Sequence, residues 1–397
     1  MSDLLRVFVP AILSLCLVSG GPARAQQGLF GDPIAGQRLF SEKDCVQCHG
    51  VRGAGGTIGS DLGRKSSGSS FYEIAAAMWN HSPGMTGKMA EYRIAHPQLE
   101  GEELSNLISF LYFLNYFDEP GDARAGMVLF NEKHCIRCHK VGDEGGTAGP
   151  SLDATTRANS PLELAASLWN HGPAMMKALK DAGLAVPKFA GNDIIDLYAF
   201  IRSHKRRTSA QRFQSPGDPR RGEELFATKG CAGCHAVFAA EPAIGPDLGR
   251  AELRGSVTQI AGRMWNHWPE MARRMEQAGM TPPQFDVGEL LDLFAYVYIA
   301  RYEGPRRDPS RGRRVFDGKG CAICHGKNGE GKVGPSLHKW EGKSVAEIAQ
   351  AMWNHAPKMK EHLREQTLSW APLEADELAD LLAFLASGFG QGGFGGK

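Results

Sequence analysis

Cys45-Val-Gln-Cys48-His49 decides the architecture, because the chain writes it four times. The other copies are Cys135-Ile-Arg-Cys138-His139, Cys231-Ala-Gly-Cys234-His235 and Cys321-Ala-Ile-Cys324-His325. Their first cysteines stand 90, 96 and 90 residues apart. A fixed period of this length marks tandem copies of one structural unit. One such group can arise by chance in a chain of 397 residues; four in register do not.

The flanks repeat as well. Fourteen residues before each first cysteine the chain reads Gly31-Asp32-Pro33, Gly121-Asp122-Ala123, Gly217-Asp218-Pro219 and Arg307-Asp308-Pro309. Asp as N-cap with Pro at the first helical position predicts a helix start. Each start leads into a pair four apart, Gly36 and Phe40, Gly126 and Phe130, Gly222 and Phe226, Gly312 and Phe316. Such a pair shares one helix face, so the glycine admits a second helix and the phenylalanine packs beside it. The expected second helix is the last of each repeat, from Glu103, Asp193, Glu289 and Glu377, with an aromatic at one register: Phe110, Phe200, Tyr296 and Phe384. Apolar residues there recur at helical spacing. The expectation is an all-α chain, three or four short helices per repeat joined by Gly-rich loops, with no strand pattern.

Bulk composition restricts the function classes. Lys+Arg is 45 against 44 Asp+Glu, so no global field argues for nucleic acid. Residues 1–25 read as a cleaved export signal: a short n-region, a 14-residue apolar run from Val7 to Gly20, then Ala23-Arg24-Ala25. That run is short for a bilayer span, and a retained anchor is the alternative. Eight cysteines remain beyond it. An even number in an exported chain first suggests disulfides, but two thiols three apart followed at once by His suit covalent haem. The thiols form thioethers to the haem and the His reaches iron from one side. A zinc site or a thioredoxin-like pair fits less well, since the α/β pattern of the latter is absent.

With helix, CxxCH, a Gly-Pro-x-Leu loop and an aromatic last helix in place, each repeat resembles a class I cytochrome c domain. The resemblance spans nearly all of residues 30–388. It implies four tandem class I cytochrome c-like domains, at 30–118, 119–212, 213–303 and 304–388, followed by a flexible tail at 389–397. It implies four covalent haem c groups, held by Cys45 and Cys48, Cys135 and Cys138, Cys231 and Cys234, and Cys321 and Cys324. His49, His139, His235 and His325 are then the proximal ligands. In that family the Pro of the Gly-Pro loop offers its carbonyl to the proximal His, and the matching residues are Pro150, Pro246 and Pro335. Repeat 1 departs, reading Gly59-Ser60-Asp61-Leu62, and there the contact rests on the carbonyl of Ser60.

The sixth iron position stays open between two residue types. Each repeat carries Trp-Asn-His-x-Pro-x-Met, at Trp79–Met85, Trp169–Met175, Trp265–Met271 and Trp353–Met359. Met85, Met175, Met271 and Met359 are the favoured distal ligands, and His81, His171, His267 and His355 the alternatives. The intervening proline predicts a local helix break that turns one of the two inward. The Met-Pro pair from which class I domains take this ligand is missing, since that place reads Ala95-His96-Pro97, Val186-Pro187, Pro282-Pro283 and Ala371-Pro372. His96, His134, His204, His338 and His362 recur nowhere and are expected at the surface. The four Trp are expected either in packing or against a haem edge or propionate.

Short linkers are expected at 117–120, 208–216 and 302–307. Basic clusters lie at His204 to Arg207 with Arg212, Arg220 and Arg221, and at Arg306 to Arg314. They read as solvated linkers, or as partners for haem propionates or an acidic redox protein. The functional expectation is a periplasmic, non-enzymatic electron carrier between redox partner proteins, with donor and acceptor open and no nucleic acid. Association with a membrane respiratory complex is a further option. The alternatives are a haem enzyme with one open site, or a cytochrome subunit of an oxidoreductase complex.

Overall fold

The computed structural model describes residues 29–63, 70–114, 116–154, 160–205, 217–239, 243–251, 253, 255–305 and 307–389. The expected export segment, and the arginines at 206, 207, 212 and 306, lie outside the described residues. Repeat 1 contains α1 (Pro33–Glu42), α2 (Phe71–Glu91) and α3 (Glu103–Phe113). Repeat 2 contains α4 (Ala123–Glu132), α5 (Pro161–Asp181) and α6 (Asp193–His204). Repeat 3 contains α7 (Pro219–Thr228), α8 (Val257–Gln277) and α9 (Val287–Glu303), and repeat 4 α10 (Pro309–Gly318), α11 (Val345–Glu365) and α12 (Ala375–Ser387).

The helix starts follow from the predicted caps. The carboxylates of Asp32, Asp122, Asp218 and Asp308 accept from backbone N–H groups of the first turn. Ser70, Ser160, Ser256 and Ser344 cap the second helix of each repeat in the same way. First and last helices cross at the predicted glycines. A Cβ on Gly36 would stand 2.0 Å from the carbonyl oxygen of Asn106, and one on Gly312 at 2.0 Å from that of Asp380. Glycine is required there because the partner backbone occupies the place of a side chain. Phe40 then meets Phe110 at 5.7 Å between ring centroids, and Phe316 meets Phe384 at 5.8 Å.

Two expectations about local structure are corrected. The second helix of each repeat is 21 residues long and runs unbroken through Pro83, Pro173, Pro269 or Pro357. Proline removes one helical hydrogen bond, but tertiary bonds hold α2 just before Pro83 and at its own carbonyl. Trp79 and Asn80 are bonded to repeat 4, and Lys360 Nζ donates to the Pro83 carbonyl at 2.7 Å. The second correction is that strands exist. β1 (Gly50–Val51) pairs with β2 (Ala54–Gly55), and β3 (Lys140–Val141) with β4 (Glu144–Gly145). Arg52 and Gly53, both at positive φ, turn the first hairpin, which is the two-residue geometry that matches strand twist.

The repeats do not associate simply in chain order. Helix α2 packs on α11, joining repeats 1 and 4, and α5 packs on α8, joining repeats 2 and 3. Repeats 1 and 3 meet through aromatics of α3 and α9. The Tyr112 hydroxyl donates to the Tyr298 carbonyl at 2.6 Å, and the rings lie 4.7 Å apart. Tyr302, expected at the edge of a linker, is a fully buried residue of α9 whose hydroxyl donates to the Leu29 carbonyl at 2.8 Å. The tail expectation is corrected at its first residue: Phe389 packs on Phe384 at 4.9 Å and on Phe316 at 5.3 Å. Residues 390–397 lie outside the described residues.

Candidate haem sites

Each CxxCH occupies a short helical turn entered through a left-handed residue: Asp44, His134, Gly230 or Gly320. The turn places both cysteines and the histidine on one local frame. The imidazole is then aimed by the following loop. His49 Nδ1 donates to the Ser60 carbonyl at 3.0 Å, and His139, His235 and His325 donate to Pro150, Pro246 and Pro335 at 2.9, 3.0 and 2.9 Å. The bond therefore survives in repeat 1 without the proline. With Nδ1 committed, Nε2 is the nitrogen left for a metal, and the bond raises its basicity. The loop glycine presses flat on the ring: a Cβ at Gly59, Gly149, Gly245 or Gly334 would come within 2.4 to 2.8 Å of the imidazole Cε1.

Two supporting sets escaped the sequence reading. The residue after Ser60 or the loop proline is itself a brace. Asp61 accepts from the backbone N–H of Arg52, Gly53 and Gly63, and Asp247 from those of Phe238 and Gly249. In repeats 2 and 4 the position holds Ser151 and Ser336, with Ser151 bonded to Asp153. Burial would raise the Asp247 carboxyl, but the two backbone N–H groups and Arg250 outweigh it and hold it below the usual range. The second set is Lys43, Lys133, Lys229 and Lys319, each two residues before the first cysteine. Each bonds a backbone carbonyl ahead of the last helix and pairs with Glu103, Asp193, Glu289 or Glu377. The signal was present as a fourfold recurrence of Lys with an acidic residue near the last helix start.

The residues present fit covalent haem. The eight thiols are unbridged. Burial pushes the Cys45, Cys135 and Cys321 thiols up to about 11, and raises Cys231. Among the described residues no group of three or more His, Cys, Asp or Glu is placed to hold a metal ion by itself. Repeat 4 opens a largely apolar cavity of about 750 Å³ whose wall includes Cys321, Cys324, His325, His355 and Met359. That is the size expected of a cofactor site, about 300–1,000 Å³.

On the distal side, the unbroken helix puts each His one turn before its Met on a shared face. Met85, Met175 and Met271 pack against the core. His81 is exposed and its Nδ1 donates to the Ala77 carbonyl at 2.8 Å; His267 is exposed as well. In repeat 4 both His355 and Met359 face the cavity.

The tryptophans do not wait for a propionate: their N–H groups bond carbonyls of the paired repeat. His96 is not a surface residue. It stacks on Trp353 of repeat 4 at 4.7 Å, and solvent reaches neither ring nitrogen. Two arginines of the basic clusters reach carboxylates of their own repeat's last helix: Arg221 pairs with Asp292 at 3.5 Å and Arg311 with Asp380 at 2.7 Å.

Together these features define a tandem c-type haem protein of the all-α class. The cytochrome c family model matches residues 34–114, 123–205, 219–298 and 309–388, and the chain belongs to the cytochrome c family. It is a haem-binding electron-transfer protein with four covalently bound haem c groups. No curated protein and no solved structure matches it significantly.

Proposed function

We propose that this chain is an exported electron relay, passing electrons between redox partner proteins through four six-coordinate haems. In this reading each pair of cysteines forms the two thioethers. His49, His139, His235 and His325 bind iron from the proximal side, and Met85, Met175, Met271 and Met359 from the distal side. The observation that carries it is the fourfold recurrence of the His Nδ1 to loop-carbonyl bond, which gives every repeat one proximal frame and sets none apart as a substrate site. Core packing of Met85, Met175 and Met271, against exposure of His81 and His267, supports methionine.

The haem supplies one-electron chemistry, and the protein sets ligation, potential and access. Methionine opposite histidine raises the potential relative to two histidines. Among the described residues no helix is long and apolar enough to cross a membrane. Residues 1–25 supply the export reading, with the periplasm as destination.

The test is carbon monoxide binding to the reduced, haem-quantified protein. Four haems and no binding are expected. Binding at one haem in four would replace the relay by a haem enzyme with an open site.

A further inference from the structure

The wall of the repeat 4 cavity is not built by repeat 4 alone. Trp79, His96 and Gln98 of repeat 1 line it beside Cys321, Cys324 and His325. The contact is a reciprocal clasp. Trp79 Nε1 donates to the Ala371 carbonyl, and Trp353 Nε1 to that of Pro97. Asn80 bonds both backbone groups of Leu373, and Asn354 both of Leu99. Trp79 also stacks on Trp370 at 4.3 Å, as Trp353 does on His96. Repeats 2 and 3 repeat the clasp. Trp169 bonds Pro283 and Trp265 bonds Pro187, while Asn170 and Asn266 hold Phe285 and Phe189. Eight side chains from one motif are thus committed to two interfaces: one joins the first repeat to the last, the other the two middle repeats, and neither joins repeat 1 to 2 or repeat 3 to 4.

The clasp residues lie on the distal helix, one to six positions before the ligand candidates, so docking two such helices brings two distal pockets to one interface. Tunnelling falls steeply with distance, and an aromatic wall shared by two pockets is a short path. We propose that the protein works as two two-haem units, repeats 1 with 4 and repeats 2 with 3. Trp79 and Trp353 form the wall between the haem pockets of the first unit, and Trp169 and Trp265 that of the second. This rests on the haem assignment above. In each exchange one electron leaves the reduced haem of one repeat, which is oxidised, and enters the oxidised haem of its partner. No proton or co-reactant takes part. The tryptophans are positioning residues, since they act by holding the two pockets together.

The experiment uses the full chain with the cysteines of two motifs changed to Ser, leaving two haems, and reads magnetic coupling between the oxidised irons by pulsed electron paramagnetic resonance. Variants retaining haems 1 and 4, or 2 and 3, should show strong coupling, and those retaining 1 and 2, or 3 and 4, weak coupling. Coupling between haems 1 and 2, or 3 and 4, equal to or stronger than that within the proposed pairs would overturn the pairing. Where a two-haem variant fails to fold, the four-haem protein with Asn80→Ala and Asn354→Ala decides. One of two strong couplings should be lost with all four haems retained, and an unchanged spectrum would overturn the proposal. The haem count is taken first. Fewer than four haems in the unaltered protein would sink the haem assignment, whereas four haems with no strong coupling between 1 and 4 would sink the pairing alone.

Discussion

Trp79 Nε1 lies 2.9 Å from the carbonyl oxygen of Ala371, which is 292 residues further along the chain. The bond closes the molecule end to end, because repeat 1 is held by repeat 4 and not by the repeat that follows it. Trp353 returns it to Pro97 at 3.0 Å. A buried indole N–H needs an acceptor, and here the paired repeat supplies one.

Asn80→Ala should loosen this clasp. It removes two bonds to Leu373, at 2.9 Å each, and leaves that residue's N–H and carbonyl without partners. The expected cost is about 2 kcal/mol, read as a lower denaturation midpoint. Asn170→Ala should cost a similar amount in the other pair, where the same two bonds run to Phe285. A loss in only one of the two would show that the clasps differ in strength.

Two glycine substitutions should move stability in opposite directions. At Gly312 an added Cβ meets the Asp380 carbonyl at 2.0 Å, so Gly312→Ala must push α10 off α12 and should cost about 3 kcal/mol. Gly84 lies inside α2 with nothing within 4 Å of a new Cβ. Gly84→Ala should raise stability by about 0.5–1 kcal/mol. Thermal unfolding of both variants checks the pair.

Gly149→Ala tests how the proximal imidazole is aimed. The new methyl would stand 2.5 Å from Cε1 of His139, so the ring must turn away from its bond to Pro150. Haem content should stay at four, because the thioethers to Cys135 and Cys138 are untouched. The near-infrared ligation bands should change for one haem in four. An unaltered spectrum would mean that the loop glycine does not set the ring.

Acid should release the brace at Asp247. The folded carboxyl is held below its usual range, with burial opposing and the N–H groups of Phe238 and Gly249 and Arg250 prevailing. A lowered folded value means the fold prefers the ionised form. That stability is present above the unfolded value of about 3.9 and is lost as pH falls through the folded one. Asp247→Asn should remove this contribution at neutral pH and flatten the acid limb of the stability profile. An acid limb identical to that of the parent would show that Asp247 braces nothing.

The helices that carry the repeat were legible because their signals are local. Asp32 and Pro33 start α1, and Gly36 and Phe40 mark the face that meets α3. The Ser60 carbonyl was read from its place beside Gly59. What escaped lay in positions of weak local preference. Asp61 and Asp247 stand at the variable place of Gly-Pro-x-Leu, where Ser also serves, so residue type alone did not mark them. The prolines at 83, 173, 269 and 357 misled for the opposite reason. A strong local preference for a break was overridden by bonds from another repeat to the Trp-Asn pair just before each proline. His96 was assigned to the surface since it recurs in no other repeat, yet its partner Trp353 lies 257 residues away.

The sequence by itself determined the number of units and the covalent cofactor, because the attachment motif and the helix caps are settled within a few neighbouring residues. Only the tertiary structure decided which repeats pair. The Trp-Asn segments are alike in all four copies, so local chemistry permits any of them to clasp any other. Choice among them depends on the joint fit of whole surfaces, including Tyr112 against Tyr298 and α2 against α11, and that fit exists only once the chain is folded.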